Sequence, residues 1–137
     1  MSAAFRRAVL GTLLPAESDP PQGLSPLPSG AAIGLDLDRY RAAAAPVLEL
    51  IAHAAGGMDP FVTASPEARI AVVRRVQQAA PAALQALLTA ILPDYYESPA
   101  VLAALGWRVD PPQPAGHALS DMDDATRAAL ERVRQGA

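Results

Sequence analysis

The sequence predicts an all-α fold, a compact helical domain of about five to six helices with long proline-rich connections. Three observations point there. Apolar residues recur three and four apart in segment after segment, the period of an amphipathic helix. No segment shows the sustained alternation or β-branched run of a strand. Serine followed by proline occurs at Ser65-Pro66 and Ser98-Pro99, placing a capping hydroxyl beside a residue suited to the first helical position.

The first helix is expected over Ser2 to Leu14, with Phe5, Val9, Thr12 and Leu13 toward one side and Pro15 closing it. Arg6-Arg7 followed by AVLGTLL resembles the start of a twin-arginine export signal. The apolar run ends at Leu14, at the short limit for such a segment, and reads as part of the fold. Ala16 to Gly34 is too rich in proline and glycine for regular structure; it is a loop, either solvated or laid over a partner. Asp36 or Asp38 caps the next helix, whose stripe is Tyr40, Ala44, Val47, Leu48, Ile51 and Ala55 and whose stop is Gly56-Gly57. Pro46 is expected to kink or split it. Asp59-Pro60-Phe61 reads as a turn.

Ser65-Pro66-Glu67 opens a helix with Ile70, Val73, Val76 and Ala80 inward and Arg69, Arg74 and Arg75 toward water. Pro81 starts another, burying Leu84, Leu87, Leu88, Ile91 and Tyr95, with its last turn disturbed by Pro93. Ser98-Pro99 opens a short helix over Ala100 to Leu105, stopped by Gly106. Residues 108–119 form a proline-rich extended arm. Ser120 then caps a final helix, with Asp123 completing a weak capping box and Met122, Ala125, Ala129 and Val133 along one side. All 137 residues make one domain.

Much of the 51% apolar content is alanine, so Leu, Val and Ile must do most of the packing, and stability is expected to lean on a partner. All eleven basic residues are arginine, in keeping with a GC-rich bacterial genome. The net charge of −3, without a basic stripe, argues against nucleic acid, where phosphate neutralisation dominates binding. No apolar run approaches the ~20 residues of a membrane span. The absence of cysteine excludes disulfides, thiolate metal sites and cysteine nucleophiles.

Chemistry is sparse. His53 lies in an alanine-rich helix and His117 near Asp121 and Asp123, and neither has enough neighbouring ligands for a mononuclear metal site. The pairs Asp36/Asp38 and Asp123/Asp124 read as helix-start acids. No phosphate-binding or nucleophile-elbow motif is present. No catalytic, cofactor-binding or metal residue is therefore assigned. What stands out is the window from Ile91 to Leu119, which holds Tyr95, Tyr96 and Trp107 in a chain only 4% aromatic. Aromatics dominate cores and interfaces. Tyr95 reads as core; Tyr96 and Trp107 are candidates for a partner surface, together with Pro111, Pro112, Pro114 and Gly116 of the arm.

Several fragments taken in order resemble the gluconate 2-dehydrogenase subunit 3-like family: FRRAVLGTLLPAESD at residues 5–19, SPEARIAVVRRV at 65–76, YYESPAVLAALGW at 95–107 and PPQPAGHAL at 111–119. Members are small subunits of flavin-dependent dehydrogenases whose large subunit is a GMC-type (glucose–methanol–choline) oxidoreductase. The resemblance implies a heteromer in which this chain is non-catalytic and clasps, stabilises or helps mature the large subunit. FAD belongs to that partner, and this chain holds no cofactor. Family members often carry a twin-arginine signal; here a cytoplasmic location is expected, or a periplasmic one reached through the complex. Two rival functions are a stand-alone ligand-binding protein or enzyme with a pocket near Tyr95, Tyr96 and Trp107, and a helical adaptor without a redox partner.

Overall fold

The computed structural model describes residues 1–107 and 122–136. Ser2 caps helix α1 (Ala3–Leu13) by accepting the Phe5 amide at 3.2 Å. Asp36 begins a 3-10 turn (Leu37–Tyr40) that runs into α2 (Arg41–Ala55), followed by α3 (Met58–Thr63), α4 (Pro66–Ala79), α5 (Pro81–Glu97), α6 (Pro99–Ala104) and α7 (Asp124–Gln135). Among the described residues there is no strand, only an isolated antiparallel bridge between Glu17 and Leu27. The all-α expectation holds.

Helix α2 lies at the centre, packed against α3, α4 and α5, while α1 covers α3 and α4 and α6 rests on α5. Its inner face is Ala44, Val47, Leu48 and Ile51, four of the six stripe residues read from the sequence. Gly56 ends the helix with φ 79°, a left-handed cap that a side chain would strain. The fully buried heart combines Phe5, Val9, Leu37, Val47, Ile51, Phe61, Leu87, Ile91 and Val101. Phe5 meets Phe61 edge-on, with ring centroids 5.7 Å apart and planes at 80°.

Four expectations need correction. Asp59-Pro60-Phe61 is not a turn but the middle of α3, which drives Phe61 into the core. Pro46 and Pro93 neither split nor end their helices: α2 and α5 run through them. The carbonyls they leave without an amide partner are those of Ala42 and Thr89, both on exposed residues, where water can serve. On α4 the buried positions are Val72 and Val76, whereas Ile70 is 43% exposed. Ser98 occupies the cap position of α6 without a side-chain cap bond, and the cap of α7 is Asp123, which accepts the Thr126 amide. The proposed Ser120 cap lies outside the described residues.

Arg69 also departs from its expected place in solvent. Its Nε donates to the Phe61 carbonyl at 3.0 Å, a second guanidinium nitrogen donates to the Val62 carbonyl, and the group lies over the Phe61 ring at 5.8 Å. Arg75 donates to the Ala54 carbonyl at 3.1 Å. Two arginines of α4 thus satisfy open carbonyls at the C-terminal ends of α3 and α2, where positive charge also suits the helix dipole.

Candidate interaction surface

The loop from Pro15 to Leu35 lies along its own domain. Glu17 and Leu27 exchange both backbone hydrogen bonds at 3.0 Å, the Ser25 amide donates to the Ala104 carbonyl at 3.2 Å, and the Gly30 amide donates to the Leu14 carbonyl at 2.9 Å. Tyr95 completes the attachment. Its ring is 5% exposed, and its hydroxyl donates to the Pro28 carbonyl at 2.8 Å. Burial, and then the neighbouring Tyr96, raise its phenol pKa above the ordinary value. Tyr95 is the core residue the sequence suggested, and the loop it holds is occupied by intramolecular contacts.

The next residue behaves oppositely. Tyr96 is 51% exposed, its ring set edge-on against Tyr95 with centroids 5.2 Å apart. One residue is core and its neighbour faces water because successive helical positions are rotated by about 100°. Beyond α6, Trp107 is 69% exposed, its amide donating to the Leu102 carbonyl at 2.9 Å. The two aromatics flank α6, at the end of the body that the loop straps down. Pro111, Pro112, Pro114 and Gly116, the other partner-surface candidates, lie outside the described residues, as does His117.

A second polar tether was not legible from the sequence, because its partners are 54 positions apart: Tyr40 donates its hydroxyl to the Asp94 carboxylate. Burial, then that bond and the carboxylate's charge, push the Tyr40 phenol up to about 12. The remaining acids are structural. Asp36 accepts the Asp38 amide at 3.0 Å and lies 3.6 Å from Arg6, and Asp38 pairs with Arg41 at 3.0 Å. The Thr126 backbone amide holds the Asp123 carboxyl below the usual carboxylate range. Among the described residues no group of three or more His, Cys, Asp or Glu side chains is placed to hold a metal ion. His53 is exposed near the end of α2.

Helix α7 forms a further exposed apolar surface. None of its residues is buried, and Met122 at its start, Leu130 and Val133 are 47%, 53% and 72% exposed. Leu130 widens the stripe read from the sequence. Clefts of about 490, 530 and 370 Å³ lie along α1, and none of the three is lined by Tyr95, Tyr96 or Trp107. Among the described residues no helix is long and apolar enough to cross a membrane. Comparison with family models, curated proteins and solved structures finds no match to this chain.

Proposed function

We propose that this chain is a non-catalytic accessory subunit that binds and stabilises, or helps mature, a FAD-dependent GMC-type alcohol or sugar dehydrogenase. The observation that carries a binding role is Trp107, the only tryptophan, left 69% exposed beside a well-packed body. Large exposed aromatics are costly in a free monomer and are enriched among the residues that dominate interface energy. The partner's identity rests on the four sequence fragments resembling the subunit 3-like family. In this reading Tyr96 and Trp107 contact the flavoprotein, the flavin stays in that partner, and the complex works in the cytoplasm or is exported whole.

Co-expression with a GMC flavoprotein encoded beside this gene, followed by size-exclusion chromatography and a flavin spectrum, tests the proposal. A stable complex with flavin in the large subunit is expected. Trp107→Ala should lower affinity by about thirtyfold or more, equivalent to ~2 kcal/mol, while Arg74→Ala on the exposed face of α4 changes it little. Circular dichroism of the free Trp107→Ala chain should match the parent, because the side chain is mostly in water. Unchanged affinity with an intact fold would place the interface elsewhere, and stoichiometric flavin on the isolated chain would favour a stand-alone ligand-binding protein.

A further inference from the structure

The cleft of about 530 Å³ is an apolar groove between α1 and α4, lined by Ala8, Gly11 and Thr12 of α1, Val62 of α3, and Pro66 and Ile70 of α4. Ile70, which the sequence pattern marked as inward-facing, stands at its edge 43% exposed. Gly11 gives the groove its meaning. It lies inside α1, where glycine is unfavourable relative to alanine, yet a β-carbon built on it would meet nothing within 4 Å. No described neighbour requires the missing side chain. A helix laid in the groove would, since small residues at a crossing let two helix axes approach closely.

The same chain carries a helix of matching form. The apolar stripe of α7 is small at its centre, Thr126 and Ala129, and large at its ends, Met122 and Val133, with Leu130 alongside. Its 12 residues span about 18 Å and the 11 of α1 about 16 Å at 1.5 Å per residue. The chain between Trp107 and Met122 can reach roughly 50 Å at full extension, more than enough to bring α7 to any face of a domain this size. A tethered helix also meets its site at an effective concentration on the order of millimolar, so even modest complementarity suffices. We infer that α7 docks into the α1/α4 groove of its own chain, with Ala129 against Gly11, and that the fully exposed α7 of the present structure is the released form. This inference is independent of the flavoprotein reading.

The cysteine-free sequence makes the test direct. The pair Gly11→Cys with Ala129→Cys, oxidised at micromolar protein, should form an intramolecular disulfide at least about tenfold faster than Gly11→Cys with Glu131→Cys, whose second thiol sits on the far side of α7. Equal rates would overturn the inference. A disulfide-linked dimer as the main product would also overturn it, assigning the groove to a second copy. The complementary variant is Gly11→Leu, which fills the groove without meeting a described neighbour at Cβ and leaves the body folded. It should speed amide hydrogen exchange in α7 about tenfold; unchanged exchange would count against docking.

Discussion

Helices α5 and α7 carry similar signals in the sequence and have opposite environments. Both have a one-sided apolar stripe and both begin after a loop. Yet α5 buries Leu84, Leu87, Ile91 and Tyr95 and ties down other elements through Tyr95 and Asp94, whereas α7 buries nothing. Amphipathic periodicity identifies a face that needs covering; it does not say what covers it. For α5 the cover is α2, α4 and α6 of the same body. For α7 it must come from a rearrangement of this chain or from another protein.

The comparison breaks most sharply under truncation of apolar side chains. Ile91→Ala, at a fully buried position, should cost about 2–5 kcal/mol in a denaturant titration. Val133→Ala, at a position 72% exposed, should stay within about 0.5 kcal/mol. Comparable losses would mean that α7 is as deeply packed as α5.

Alkali sharpens the comparison from the α5 side. The chain has no lysine, so above the range of the amino terminus tyrosines are the groups that titrate before arginine. Tyr40 ionises near 12 when folded and near ~10 when unfolded. A raised folded pKa means the stabilisation is complete below pH ~10 and is lost as pH rises toward 12. Tyr95, also raised, adds a contribution of the same sign. The melting temperature should therefore fall between pH ~10 and ~12, and less steeply in Tyr40→Phe. An identical pH slope in that variant would remove Tyr40 from the account.

The smallest effect belongs to the α7 cap. Asp123→Ala removes the acceptor of the Thr126 amide and should reduce helical ellipticity slightly, with no shift in the main melting transition. A clear drop in that transition would show α7 to be part of the cooperative body.

Legibility in the sequence follows the same division. Helix existence was readable where period and capping agreed, as at Ser65-Pro66 and Gly56. Rotation about the axis was not: α4 offers Ile70, Val72, Val73 and Val76, and only docking against α1, α2 and α5 selects Val72 and Val76. Helix α3 was hidden because Asp-Pro reads locally as a turn, while burial of Phe61 against Phe5 rewards one more turn of helix. At the candidate surface, the contrast between Tyr95 and Tyr96 was visible from adjacency on a helix. The exposure of Trp107 was not, because a lone tryptophan after Gly106 can as readily turn inward.

The two arginines reaching back from α4 bear on the order in which this chain matures. The last carbonyls of α2 and α3 that Arg75 and Arg69 satisfy have no such partner while only the first 64 residues exist. As the polypeptide leaves the ribosome, α2 and α3 therefore stay frayed at their C-terminal ends until residues 69–75 have followed. A guanidinium can close two carbonyls at once, as Arg69 does, and a single lysine amine lacks that planar fork. The corner is thus finished from downstream, and α2, α3 and α4 become firm together.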